Sequence, residues 1–169
     1  MSIDLDLARK IKLAVEKDDL ESFIELLSDD KSLMNFITPF GSWLHIAASS
    51  GAVSVVDYLI ANGFDLNVKG GTLGGSALNT ACSKGKKEIV EKLLKAGADM
   101  DVSDPTRNPL FASIYGNHIE IAKLLLDRGI DTKIKYTGEN MTDMGAIEFA
   151  LERGSQEIAD MITTYEGCG

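Results

Sequence analysis

Three residue types that can take part in chemistry stand together in the stretch SWLHIAASSG, namely Ser42, Trp43 and His45. A serine and a histidine act together as nucleophile and base only where both converge on one cleft and a third group orients the base. The other histidine of the chain, His118, lies far along the sequence. Whether these side chains act chemically therefore depends on the elements that hold them.

Two further patterns suggest a bound cofactor. The glycine-rich stretch KGGTLGGS, Lys69 to Ser76, precedes a predicted helix but lacks the GK[ST] ending and the preceding strand of a phosphate-binding loop. Asp99, Asp101 and Asp104 do not have the spacing of a calcium-binding loop. We therefore expect no nucleotide, metal or other cofactor.

Composition and charge exclude several classes of protein. The 169 residues are 44% hydrophobic and 25% charged, which is ordinary for a globular domain with a sizeable core. No run of 18 apolar residues predicts a membrane span, and the beginning, MSIDLDLARKIK, does not resemble a secretory signal. Cys82 and Cys168 have neither disulfide nor zinc spacing. We expect free thiols and a cytoplasmic protein.

The net charge is −9, from 17 basic and 26 acidic residues. Nucleic acid is an unfavourable partner because phosphate binding depends on clustered Lys and Arg.

A unit of about 33 residues recurs along the chain. Gly51 and Gly85 are 34 residues apart, and LHIAASSG and VVDYLIANGFDLN are matched by LNTACSKG and IVEKLLKAGADMD. Asn117 follows 32 residues later, Gly154 another 37 residues later, and Asp18 precedes Gly51 by 33 residues. We call these five residues the turn position. Each is flanked by two short apolar segments, which predicts two helices around a turn.

The five units resemble the ankyrin repeat over nearly the whole chain. The family's TPLH signature survives in part as Ser42 to His45, Ser76 to Asn79, Asn108 to Phe111 and Gly145 to Glu148. The resemblance implies an all-α fold, an ankyrin-repeat solenoid of paired short helices linked by finger loops. It gives one domain, 1–169, with repeats at approximately 5–36, 37–69, 70–102, 103–135 and 136–166.

Hydrophobic spacing agrees with stacked helix pairs. Leu44, Ala47 and Ala48 share one face of a first helix, and Val55 and Leu59 share one face of a second. Neither helix can bury its apolar face alone, so neighbouring units must stack. Helix N-caps are expected at Ser42, Ser76 and Asn108, and positive φ is expected at Gly63, Gly97 and Gly129.

The resemblance assigns the chemical candidates to architecture. His45 takes the position of the TPLH histidine, whose family role is to tie the turn to the next repeat by hydrogen bonds. Cys82 takes a packed helix position, and the glycine-rich stretch becomes a finger loop. We therefore expect no enzyme, although a small-molecule or metal-dependent enzyme with His45, Cys82 or the glycine-rich finger as its site remains the alternative.

Ankyrin proteins typically bind other proteins through the finger loops and the concave face of the first helices. The resemblance places the fingers at Asn35 to Gly41, Lys69 to Gly75, Val102 to Arg107 and Ile134 to Asp143. The concave face would carry the residues just before the turn position: Glu16, Lys17, Ser49, Ser50, Ser83, Lys84, Tyr115, Gly116, Glu152 and Arg153.

Five aromatic residues near this surface are candidate partner-binding residues, because aromatic side chains are preferred interface anchors. Phe36, Phe40 and Trp43 cluster at the first finger, Tyr115 lies before a turn position, and Tyr136 lies in the last finger. Trp43 replaces the family's proline, and packing between fingers is an equally good interpretation.

Charge suggests two more contact regions. Residues 136–169 carry seven acidic side chains and one basic side chain, and Glu148 and Glu152 are spaced i, i+4 on one helix face, which costs a little free energy unless a cation approaches. They indicate a partner with a basic surface, or a solvated end. The lysines Lys84, Lys86, Lys87, Lys92 and Lys95 indicate a solvated face or a patch for an acidic partner.

The sequence thus predicts a non-catalytic protein-protein interaction module, monomeric when free, that blocks or scaffolds a partner protein. Small acidic ankyrin proteins resemble bacterial immunity proteins, which neutralise a cognate toxin, and inhibitors of cell-cycle kinases. We favour the immunity protein, because the acid suits a basic toxin. A self-associating structural subunit is the remaining alternative.

Overall fold

A computed structural model of the chain describes residues 4–28, 30–71, 74–139 and 141–168. Within these residues ten helices form five successive pairs, and a short helix, α3 (Lys31–Met34), follows the first pair. The pairs are α1 (Leu5–Glu16) with α2 (Leu20–Leu27), α4 (Trp43–Ser50) with α5 (Val53–Ala61), α6 (Ala77–Ser83) with α7 (Lys87–Lys95), α8 (Pro109–Tyr115) with α9 (Ile119–Asp127), and α10 (Ala146–Glu152) with α11 (Gln156–Gly167).

Several helices begin at a polar residue whose side chain caps them. Asp19 accepts a hydrogen bond from the Ser22 N–H at 3.0 Å, and Asn108 accepts one from the Leu110 N–H at 2.9 Å. Pro109 then occupies the first helical position, where its missing N–H costs nothing. The expected N-caps Ser42, Ser76 and Asn108 are confirmed.

The turn position has the left-handed backbone that the repeat pattern predicts. The angle φ is 55° at Asp18, 89° at Gly51, 68° at Gly85, 53° at Asn117 and 74° at Gly154. Glycine and asparagine tolerate this conformation best, so the turn can reverse the chain between the two helices of a pair. Positive φ is also confirmed at the three predicted helix ends, Gly63, Gly97 and Gly129.

Each pair packs on its neighbours. The first helix α4 contacts α1 and α6, and α8 contacts α6 and α10. Among the second helices, α5 contacts α2 and α7, and α9 contacts α7 and α11. One cluster of buried side chains runs from Ile11 to Ile162 through all five pairs. Burial of one Leu, Ile or Val contributes about 1.5–3 kcal/mol, so these contacts are a principal source of stability.

The finger loops contain strands that the all-α prediction did not include. The first finger pairs β1 (Ile37–Thr38) with β2 (Gly41–Ser42), and the last pairs β3 (Tyr136–Gly138) with β4 (Met141–Met144), both antiparallel. The second finger is closed by a bridge between Gly70 and Gly75, and its residues Thr72 and Leu73 lie outside the described residues. The hairpins are too short for periodicity to reveal.

Candidate protein-binding surface

The first helices present one row of side chains two residues before the turn position. The row consists of Glu16, Ser49, Ser83, Tyr115 and Glu152. Because α1, α4, α6, α8 and α10 pack side by side in this order, the row crosses the whole stack. Its second and third members are serines, and its fourth and fifth are a large aromatic residue and a carboxylate.

Trp43, a candidate for partner contact, is fully buried. Its indole Nε1–H donates to the Leu33 carbonyl at 2.7 Å, and its ring lies 6.1 Å from the half-buried ring of Phe36. Both its apolar surface and its donor are used within the chain, in agreement with the interpretation of Trp43 as a packing residue. Trp43 therefore does not belong to the candidate surface, and the half-buried Phe36 exposes only part of its side chain to a partner.

Tyr136 is likewise a packing residue. Its hydroxyl donates to the Val102 carbonyl at 2.7 Å and accepts from Asn108 Nδ2 at 3.0 Å, while its ring packs edge-on against Phe111 at 5.1 Å. Burial raises the pKa of the Tyr136 hydroxyl. The residue joins the third finger to the last one, and it too is removed from the candidate surface.

Phe40 and Tyr115 remain as exposed aromatic side chains. Phe40 is 61% exposed at the tip of the first hairpin, with Lys12 Nζ at 5.6 Å from its ring centroid. Tyr115 is 64% exposed at the end of α8. The Arg153 guanidinium lies 4.6 Å from the Tyr115 ring and 5.2 Å from the ring of Phe149, which itself stacks on Phe111. Arg153 thus packs against the Tyr115 ring, which remains largely exposed.

Glu148 has partners that the sequence did not reveal. It accepts from the Gly145 N–H at 3.1 Å at the start of α10, and its other oxygen lies 3.5 Å from Lys135 Nζ. Lys135, in the last finger, also pairs with Asp143 at 3.2 Å, and these two acids raise its pKa. Glu148 therefore needs no external cation, contrary to the prediction from its i, i+4 spacing with Glu152, because Lys135 supplies one from within the chain.

Glu152 is different. It is exposed at the end of α10, beside Arg153, and it makes no ion pair within the described part of the chain. It is the acidic member of the row that is free to meet a cation from outside.

His45 joins two helix pairs. Its Nδ1 accepts from the Ser42 N–H at 3.3 Å and lies 2.8 Å from the Ser42 hydroxyl, and its Nε2–H donates to the Gly75 carbonyl of the next finger at 3.0 Å. Burial lowers the pKa of His45, because the charged imidazolium would lose its hydration. Neither nitrogen remains for catalysis, and the bond to the next unit is the one that the resemblance implied.

The other chemical candidates are also engaged or isolated. His118 Nε2 lies 3.1 Å from the Ser83 carbonyl of the preceding pair. Cys82 is a buried free thiol whose pKa is raised by burial, and Cys168 is an exposed free thiol, as predicted. Among the residues described, no three His, Cys, Asp or Glu side chains are grouped so as to hold a metal ion. No helix in the described ranges is long and apolar enough to cross a bilayer.

The lysine group divides into paired and unpaired members. Lys87 pairs with Glu120 at 2.9 Å, and Lys92 pairs with Asp57 at 2.9 Å, so both bridge neighbouring helix pairs. Their carboxylate partners raise the pKa of each ammonium group. Lys84, Lys86 and Lys95 make no ion pair with any described residue.

Two bonds between units start from turn positions that are not glycine. The Asp18 carboxylate accepts from the Ser54 N–H at 3.1 Å and the Val55 N–H at 3.0 Å, at the start of α5. Asn117 Oδ1 accepts from the Ser155 hydroxyl at 2.9 Å. The sequence signal for these bonds is a polar residue where the other units have glycine. The repeat pattern predicted only the backbone conformation at these positions and not the bonds to the next unit.

The comparisons with known proteins agree with this architecture. The family model described as "Ankyrin repeats (3 copies)" matches residues 11–104, 44–136 and 78–168, three overlapping segments that span most of the chain. A search of curated proteins found no match. The repeated turn, the histidine that ties one unit to the next and these matches show that the chain belongs to the ankyrin repeat family.

Proposed function

We propose that the five helix pairs are five ankyrin repeats of one solenoid, and that the chain is a monomeric, non-catalytic module that binds a partner protein and blocks or scaffolds it. Ankyrin repeats are generally protein-protein interaction modules, and repeat stacks bind through their extended curved surface. The proposed surface is the row of first-helix side chains together with Phe40.

Tyr115 is the observation that carries this proposal. Consensus repeats usually carry a polar residue here, yet this chain exposes 64% of a tyrosine and holds it against the Arg153 guanidinium. A tyrosine that is already ordered loses little conformational entropy on binding, and tyrosine and arginine are enriched among residues that dominate binding energy. Tyr115 and Arg153 are therefore the proposed centre of the interface.

The last repeat adds a preference for a basic region of the partner. Glu152 extends the row beyond Tyr115 and makes no ion pair with any of the described residues. Opposite charge across an interface mainly raises the association rate and selects the partner. The finer form of the proposal, an immunity protein that neutralises a basic toxin in the cytoplasm, rests on this acidity.

Affinity capture and one substitution test the proposal. The tagged protein is used to capture partners from its native host at low salt, and the partner is then purified. We expect one stoichiometric partner whose affinity falls at least about tenfold with Tyr115→Ala. Tyr165→Ala is the matched control, because Tyr165 is an exposed tyrosine on α11 away from the row. Equal effects of the two substitutions would reject the surface.

The charge component is tested by association kinetics. Glu152→Gln should slow association with that partner, most at low salt, while Glu166→Gln, an exposed acid on the last helix, should change it less. Unchanged association rates at low salt would reject a basic contact at Glu152. A toxin as the captured protein, with its activity lost in the complex, would identify the immunity role.

Two measurements separate the alternatives. Light scattering across a concentration series should give a constant monomer mass, and a mass that rises with concentration would favour the self-associating subunit. A thermal-shift screen of metals and nucleotides should be flat, whereas a specific ligand would raise Tm by mass action and favour the enzyme.

A further inference from the structure

A recess of about 620 Å³ lies between the fingers and the first helices of the N-terminal three repeats. Its wall includes Lys12 and Glu16 from α1, Ser49 from α4, and Asn79, Ser83 and Lys84 at α6. The recess exists because the row of first-helix side chains is small here, with serine at two successive positions, whereas Tyr115 fills the next position.

The charged groups of this recess do not cancel. Lys12 Nζ lies 2.6 Å from Glu16 Oε1, so these two side chains form a neutral pair. Lys84 at the other side is exposed and has no ion-pair partner among the residues that the structure describes. The recess is therefore net positive within a chain whose net charge is −9.

One buried donor in the wall of the recess, the side-chain amide of Asn79, has no acceptor among the described residues. Asn79 is 4% exposed, and its Nδ2 has no hydrogen-bond partner within the described part of the chain. It occupies the place in its repeat that His45 holds in the preceding one, where the longer imidazole reaches the next finger. A buried donor without a partner is costly, and its amide group can turn without breaking a hydrogen bond.

We infer that this recess binds an acidic segment of the partner protein, with a carboxylate taken up between the Lys84 ammonium group and the Asn79 amide. The inference rests on the proposed function and specifies what its N-terminal half recognises. A carboxylate satisfies both unpaired donors at once, and charge-assisted hydrogen bonds are stronger than neutral ones. Lysine or arginine side chains of the partner would meet Lys84 with like charge and are disfavoured.

The surface then has two ends of opposite preference. The recess around Lys84 takes an acid, and the end around Glu152 takes a base, with Tyr115 between them in the row. A partner segment with acid and base in this order binds in one direction, because the reversed segment sets like charges against each other at both ends.

A random dodecapeptide library displayed on phage tests the inference without assuming the partner. Selected on the full chain, it should enrich peptides with a recurring Asp or Glu. Lys84→Gln should weaken these peptides about fivefold in fluorescence anisotropy, as loss of a partly exposed ion pair does. Lys95→Gln is the matched control, an unpaired exposed lysine of the same repeat outside the recess, and should leave their affinity unchanged.

A second substitution locates the carboxylate. Changing the recurring peptide Glu to Gln should cost as much as Lys84→Gln, and the two changes together should cost little more than either. The inference would be overturned if the library enriched basic or uncharged peptides, or no peptides at all. It would also be overturned if the chain self-associated through Lys84, or if Lys84→Gln and Lys95→Gln had equal effects.

The test also separates this inference from the proposed function. Peptides that lose affinity with Tyr115→Ala but not with Lys84→Gln would overturn the acidic recess and leave the binding surface standing. Peptides insensitive to both substitutions would overturn both proposals.

Discussion

The turns that open α4 and α10 occupy the same place in their repeats, and each carries a side chain that bonds back to the residue before the helix. In the second repeat this is His45, which accepts from the Ser42 N–H at 3.3 Å and also reaches the next finger. In the last repeat it is Glu148, which accepts from the Gly145 N–H at 3.1 Å. Its second oxygen faces Lys135 at a half-exposed position.

The difference follows from what lies beyond each turn. The second repeat packs between two neighbouring repeats, so its turn is buried. A neutral side chain that both donates and accepts, such as the His45 imidazole, stabilises a buried turn best. The Glu148 side chain in the last repeat is half-exposed, so water can solvate its carboxylate. A buried turn therefore uses its signature residue for cohesion, whereas a half-exposed turn can carry charge that a partner can recognise.

Among the substitutions at these turns, Trp43→Ala should cause the largest loss of stability. The substitution empties a fully buried site and leaves the Leu33 carbonyl without its donor, so we expect a loss of about 3–5 kcal/mol in the free energy of unfolding. Urea denaturation measures it. Phe40 is exposed in the turn between β1 and β2, so Phe40→Ala should lower the free energy of unfolding by less than about 1 kcal/mol. Similar losses would show that burial does not separate the two side chains.

The signature residues themselves come next. His45→Ala should cost about 2–3 kcal/mol, because it removes the side-chain acceptor of the buried Ser42 N–H and leaves the Gly75 carbonyl with only its bond from the Gly70 N–H. Glu148→Ala should cost less than about 1 kcal/mol, because its cap and its ion pair are half-exposed. A larger loss from Glu148→Ala than from His45→Ala would reverse the comparison.

Asn79 offers an intermediate case. Asn79 occupies in the third repeat the position that His45 occupies in the second, but the Asn79 side-chain N–H groups make no hydrogen bond to the next finger. Asn79→His should stabilise the protein by about 1 kcal/mol, because an imidazole can reach the Arg107 carbonyl, the counterpart of Gly75 in the following repeat. Thermal unfolding measures the gain, with Asn79→Gln as the control for size. No gain over Asn79→Gln would show that reach alone does not limit this junction.

The smallest effect is the pH dependence of stability that His45 contributes. Burial lowers its folded-state pKa below the ordinary value of about 6.5, so the unfolded chain takes up the proton first as pH falls. Stability is therefore fully present above about pH 6.5 and decreases as pH falls below it. Denaturation midpoints from pH 8 to pH 5 measure the slope. His45→Gln should have a flatter profile, and an equal slope would assign the effect to other groups.

Much of the architecture could be read from the chain without coordinates. The recurrence of Gly51 and Gly85, and of the apolar segments around them, predicts paired helices that must stack, since an amphipathic helix cannot bury its face alone. The left-handed turn at Asn117 followed from the same recurrence and is confirmed. The tie from His45 to the next unit followed from the family resemblance and is confirmed as well.

The short elements of the fingers could not be read in this way. Helix α3 has four residues, and the strands have two to four, too few to show a period of 3.6 or 2. Their existence depends on what the neighbouring helices leave for them to contact.

The sequence by itself determined the repeat, its helices and its turns, because each of these depends on residues close together in the chain. Only the tertiary structure decided that Trp43 and Tyr136 are buried while Phe40 and Tyr115 are exposed, because burial depends on contacts with residues as far as 34 positions away in the chain. It also decided which charges are paired: Lys135 meets Glu148, whereas Lys84 and Glu152 meet no opposite charge among the described residues. Pairing depends on distances in space, and spacing along a chain records these only within one helix.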